Sequence, residues 1–129
     1  MLSDDKEIMR IQQNCVGKKI RDICLDDNDN VLRVDFADGY KVQLWDNTHE
    51  CSEERYMSTD DKLQDFIGAT WIEAEIRDGP TTDDNWNEVH DIQFLLISTS
   101  KGTFTLETHN KHNGYYEGFE VVMREVVNA

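Results

Sequence analysis

Two polar segments of the sequence carry the residue types from which chemistry is built: Asp46-Asn47-Thr48-His49-Glu50-Cys51-Ser52-Glu53-Glu54 and Thr108-His109-Asn110-Lys111-His112-Asn113-Gly114-Tyr115-Tyr116. Together they hold His49, Cys51, His109 and His112, whose His-x-Cys and His-x-x-His spacings could supply four ligands to a tetrahedral zinc. Nothing in the sequence fixes the two segments side by side, reduced zinc sites more often use several cysteines, and imidazoles hydrogen-bonded in surface turns account for the same pattern. No metal or cofactor is therefore assigned. Glu53, His109 and His112 could also exchange protons as a general acid–base set, but no catalytic residue is assigned either. A ligand pocket is the stronger reading. Asn113-Gly114-Tyr115-Tyr116 sets two rigid aromatic rings beside amides and imidazoles at a turn, where ring faces stack on a flat base and Asn and His fix its orientation. Arg55 and Lys111 are nearby cations that could meet a phosphate. By strand alternation, one tyrosine of the pair would face the core instead. The candidate ligand-binding residues are Cys51, Glu53, Arg55, His109, Asn110, His112, Asn113, Tyr115 and Tyr116.

The chain as a whole limits what such a pocket can serve. Its 129 residues are the size of one ordinary domain, and 38% apolar residues suffice for one core. Thirteen Lys and Arg against 27 Asp and Glu give a net charge of −14, which opposes direct contact with phosphate backbones or anionic lipid. Such acidity keeps a small protein soluble, or it complements a basic groove on another protein. No apolar run approaches the roughly 20 residues of a membrane span. The start, Met1-Leu2-Ser3-Asp4-Asp5-Lys6, does not read as a secretory signal, so the three cysteines are expected to be reduced thiols in a cytoplasm. There is no Gly-x-Ser-x-Gly elbow, phosphate-binding glycine loop or Cys-x-x-Cys pair.

The elements that must position these residues follow from periodicity. Ser3 can cap a helix over 4–14 with Ile8 and Ile11 on its apolar edge. Residues 19–25 read as a strand, with Cys24 in its core. Leu32, Val34 and Phe36 alternate with Arg33 and Asp35, Asp38-Gly39 makes a hairpin, and Val42 and Leu44 continue the alternation. Leu63, Phe66 and Ile67 predict a second short helix opened by Ser58-Thr59-Asp60-Asp61 and stopped by Gly68. In 70–77, Ile72, Ala74 and Ile76 are expected inward, so Trp71 outward, and likewise Trp45 outward of Val42 and Leu44. Residues 78–88 read as a long loop. Strands are expected at about 90–99 and 103–109, joined by Ser98–Gly102, and at about 115–126. The expected fold is α+β: one domain over residues 1–129, with the helix 4–14 beside a sheet core 19–126 of about seven mostly antiparallel, meandering strands and two short helices. Two outward-facing indoles further predict a homodimer or higher oligomer that covers at least one.

Several short motifs lie along this frame: Asp38-Gly39, Cys51-Ser52-Glu53, Asp60-Asp61-Lys62-Leu63, Phe66-Ile67-Gly68, Glu73-Ala74-Glu75 and Asn113-Gly114-Tyr115-Tyr116. On these, the stretch from Ile20 to Val121 resembles a family of small, functionally unassigned proteins found largely in bacteriophages and prophages. Cys51-Ser52-Glu53 departs from that family's paired cysteines, which weakens any paired-thiol chemistry, and His109 and His112 fall outside its pattern. The resemblance implies a phage-type accessory protein in a bacterial host cytoplasm and supplies no activity of its own; action against host defence is expected from the company that small phage accessory domains keep. The expected function is sequestration of a small nucleotide-derived ligand or signal. The alternatives are an acidic inhibitor that blocks a host defence protein such as a nucleic-acid-binding nuclease, and a small hydrolase of nucleotide signals.

Overall fold

Helix α1, Lys6–Cys15, begins where Asp5 turns its carboxylate onto the amides of Glu7 and Ile8, at 2.9 and 3.1 Å, satisfying two of the four donors a helix start leaves open. Asp5, not Ser3, is thus the cap; the Ser3 hydroxyl instead accepts from the Asp5 amide. The computed structural model describes residues 3, 5–48, 54–83, 88–112 and 118–126. After α1 the described residues form strands β1 (Ile20–Asp26), β2 (Val31–Phe36), β3 (Lys41–Asp46), β4 (Glu54–Ser58), β5 (Trp71–Asp83), β6 (Val89–Thr99), β7 (Gly102–His112) and β8 (Val121–Glu125), with a one-turn 3-10 helix at Leu63–Phe66.

The α+β expectation is overturned. The described residues form an all-antiparallel β fold of eight strands in two four-stranded sheets, ordered β1-β2-β3-β8 and β4-β7-β6-β5, with one α-helix. The inner faces supply one continuous core: Leu32, Val34, Phe36, Val42 and Leu44 from the first sheet meet Leu95, Ile97, Phe104 and Leu106 from the second. Helix α1 contributes Ile8, Ile11 and Cys15 and touches both β8 and β5, an edge strand of each sheet. There Gln12 donates to the Ala74 carbonyl at 3.2 Å, and Arg10 pairs with Glu125 at 2.7 Å. The 3-10 helix packs against β1 at another sheet edge.

Four local expectations change for physical reasons. The second helix shrinks to one turn because Ser58 belongs to β4 and Gly68 turns the chain back at φ +88°. Of the supposed loop at 78–88, residues 78–83 are the end of β5, and β6 begins just beyond it at Val89. A register shift between Trp71 and Glu73 inverts the parity at the start of β5 only: Trp71 is fully buried against Phe36 and Ile72 is 51% exposed, while Ala74 and Ile76 keep their inward places. In β1, Ile23 takes the inner position opposite Val34, which leaves Cys24 exposed. Trp45 is half-buried against the core and donates its Nε1 hydrogen to Asn47 Oδ1 at 3.3 Å.

Candidate functional site

Strand β7 runs between β4 and β6, and alternation sends its successive side chains to opposite faces of the second sheet. The polar run 107–112 is therefore divided. Thr108, Asn110 and His112 continue the inner row begun by Phe104 and Leu106; Glu107, His109 and Lys111 face outward. Along the inner face of β6 the row likewise passes from Ile97 and Leu95 to Gln93 and Asp91. The space between the sheets is thus apolar toward the Thr99–Gly102 hairpin and polar at the opposite end.

That polar end is tightly bonded. His112 Nε2 lies 2.7 Å from Asp91 Oδ2, and the Thr81 hydroxyl donates to Asp91 Oδ1 at 2.7 Å. Thr108, Asn110 and His112 are all buried, and Thr108 Oγ1 has no hydrogen-bond partner among the described residues. Leaving a buried hydroxyl unsatisfied costs about 1–3 kcal/mol, so fold stability alone gives no reason for a hydroxyl at Thr108. At the same end Arg55 Nη1 donates to Asp46 Oδ2 at 2.8 Å and to the Gly118 carbonyl at 2.7 Å, with both members of the ion pair more than nine-tenths buried. The other Asp46 oxygen accepts the amides of Thr48 and Glu120. Arg55 is therefore a structural tie between β3, β4 and the approach to β8, and its guanidinium carbon lies 5.8 Å from the centre of the Phe119 ring.

Beside this tie is an open cleft of about 590 Å³ lined by Asp78, Gly79, Thr81, Asp91, Ile92, Gln93, Gly118 and Phe119. It offers one aromatic face, two carboxylates, an amide and a hydroxyl. Such a set stacks a flat ring and accepts hydrogen bonds from amines and hydroxyls, whereas two carboxylates repel a phosphate. The phosphate role expected of Arg55 and Lys111 finds no support: Arg55 is committed to Asp46 and Gly118, and Lys111 lies on the outer face, 5.6 Å from the Tyr56 ring centre.

On that outer face His109 is buried in a second cluster. Its Nε2 is 2.8 Å from Ser58 Oγ and 3.3 Å from Glu107 Oε2, and its Nδ1 is 2.9 Å from His90 Nε2. The Tyr56 ring stacks on it at 4.2 Å and 8°. Burial, then the neighbouring His90, pulls the His109 pKa below its ordinary 6.5, against a weaker opposing pull from Glu107.

The expected site is therefore partly separated. His109 lies on one face, while Asn110 and His112 lie on the other and Arg55 serves as a tie; Cys51, Glu53, Asn113, Tyr115, Tyr116 and His49 lie outside the described residues. With His109 and His112 on opposite faces, the four-ligand zinc set that the spacing allowed, but that was not assigned, cannot close around one ion, and no group of three or more metal-ligating side chains occurs among the described residues. Sequence reading missed Asp91, Gln93, Thr81 and Phe119 on the inside and Ser58 and His90 on the outside. The signal available was the alternation of β6, where Asp91 and Gln93 share parity with core-facing Leu95 and Ile97.

No helix among the described residues is long and apolar enough to cross a membrane. No curated protein and no solved structure matches the chain. Residues 13–121, which take in β1 through β7 and both clusters, match the model of a domain of unknown function. The chain belongs to that family, DUF7448.

Proposed function

We propose that this chain is a binding protein that sequesters a small nucleotide-derived ligand, taken through its base and sugar in the cleft between Asp91, Gln93 and Phe119. The observation that carries the reading is the change of the intersheet layer from apolar to polar along β6 and β7, ending at that cleft. Buried polar rows persist where they meet something, and the volume falls within the range of small-molecule sites. The lining favours nucleosides and weakly charged derivatives over polyphosphates. A phage-type accessory role against host defence, in a bacterial cytoplasm, is the setting this activity would have. The test is thermal shift across nucleosides, cyclic nucleotides and ADP-ribose-type compounds. At roughly a hundredfold excess over Kd a true ligand adds about 2.7 kcal/mol of stability, several degrees in Tm. Phe119→Ala should weaken binding about tenfold and Asp91→Asn should also weaken it; no stabilisation by any of the panel contradicts the reading.

A second reading, an acidic inhibitor of a host defence protein, draws on a different observation. The β1–β2 turn and the segment after β4 come together, so that Asp27 and Asp61 line one groove of about 360 Å³. Arg33 offsets part of this charge through Asp26 and Asp29, at 3.4 and 3.2 Å. Host-protein capture that weakens steeply with salt and is lost on Asp27→Lys and Asp61→Lys would favour it. The homo-oligomer expected from two exposed indoles keeps only the half-buried Trp45 as support, since Trp71 is covered within the chain.

A further inference from the structure

The outer face of the second sheet holds a linear array that the binding reading does not use. Ser58 Oγ, His109 and His90 follow one another at 2.8 and 2.9 Å. That order is a hydroxyl, a base within reach of its proton, and a third group that orients the base. In the tautomer that suits this role, His109 Nδ1–H donates to His90 Nε2, and the bare Nε2 accepts the Ser58 hydroxyl. In that state Glu107, 3.3 Å from Nε2, has no proton to receive. When Nε2 takes the serine proton, the same carboxylate faces the new imidazolium and stabilises it. Tyr56 stacks on the imidazole and restrains its plane. Ser58 is only half-buried and is one of the residues lining the groove that also contains Asp27, Asp61 and Lys62.

We propose that Ser58 is an activated nucleophile, with His109 as its base and His90 as a positioning residue, that accepts an acyl group from a neutral or cationic ester reaching it through this groove. Ser58 Oγ attacks the ester carbonyl carbon as its proton passes to His109 Nε2. The tetrahedral adduct collapses, the bond to the leaving oxygen breaks, and that oxygen takes the proton from His109 and departs as the alcohol. Ser58 is left as an acyl ester, which water cleaves by the same route to return the hydroxyl and release the carboxylic acid. The acidic walls exclude anionic esters. His109, held neutral by burial and by His90, is in the state a base requires at neutral pH.

The test is reaction of the full chain with a fluorophosphonate probe, in which the serine oxygen displaces fluoride from phosphorus, read by intact mass and peptide mapping. The expected result is one adduct per chain, on Ser58, absent in Ser58→Ala. The labelling rate should rise with pH through a midpoint below the ordinary histidine value, and fall roughly a hundredfold in His109→Gln. His90→Gln should displace that midpoint while leaving Ser58 the labelled residue. No adduct, an adduct that persists in Ser58→Ala, or a rate indifferent to pH would overturn the proposal. If His109→Gln fails to fold, Ser58→Ala, which removes only a hydroxyl, and the wild-type pH profile still decide it. The outcome is independent of the nucleoside cleft, which lies at a different set of residues.

Discussion

At the residue scale, His109 and Cys15 make the sharpest claims because burial sets their protonation. The folded chain holds His109 below 6.5, so as pH falls the unfolded chain takes up its proton first. The contribution to stability is complete above 6.5 and is lost as pH drops through the folded value. Melting temperature should therefore fall between about pH 7.5 and about pH 5.5, and His109→Gln should flatten that fall; an unchanged slope would show that His109 does not set it. Cys15 is buried beneath α1 and its thiol is pushed up to about 12 by desolvation, whereas Cys24 is exposed. Native alkylation followed by peptide mapping should find Cys24 modified and Cys15 protected until the chain unfolds. Modification of native Cys15 would show that α1 does not stay seated on the sandwich.

At the scale of elements, legibility in the sequence depended on whether a strand kept its parity. The β2–β3 hairpin was legible because Leu32, Val34, Phe36, Val42 and Leu44 alternate without interruption around Gly39, whose φ of +94° is what the Asp-Gly turn calls for. The Lys101-Gly102 turn was legible for the same reason. Strand β5 was legible only in its middle, where Ala74 and Ile76 face inward as alternation requires; its register shifts between Trp71 and Glu73 and again between Asp78 and Thr81, and a bulge exchanges the faces taken by the residues on either side of it. Strand β4 escaped notice because Met57 is its one buried apolar residue. The candidate site was only partly legible: residues 103–109 read as a strand and 110–114 as a turn, whereas β7 runs on to His112 and its two faces serve different clusters. Substitutions at two positions test the bulges. At Gly79 an added Cβ would sit 2.6 Å from the Ile92 carbonyl oxygen and 2.9 Å from the Phe94 ring, so Gly79→Ala should cost about 1–3 kcal/mol in denaturant unfolding. Trp71→Ala should cost about 3–5 kcal/mol, while Trp71→Phe should cost far less, since the buried indole N–H has no partner among the described residues. Equal, small effects for both Trp71 variants would contradict the inward position of this ring.

At the scale of the whole molecule, labour is divided along the sandwich. One end buries aliphatic and aromatic side chains from both sheets and holds the fold together; the other commits buried positions to Thr108, Asn110, His112 and the Arg55–Asp46 pair and opens into a cleft. The net charge of −14 opposes contact with phosphate groups, and the proposed ligand is one recognised by its uncharged base and sugar. The most direct measurement is a titration of the ¹⁵N-labelled chain with nucleosides, read through amide chemical shifts. Binding in the cleft predicts saturable shifts confined to Thr81, Asp91, Ile92, Gln93, Gly118 and Phe119, abolished or weakened by Phe119→Ala, with Leu32, Val34 and Leu44 unmoved. Shifts absent throughout the panel, or centred on the Asp27–Asp61 groove instead, would contradict it.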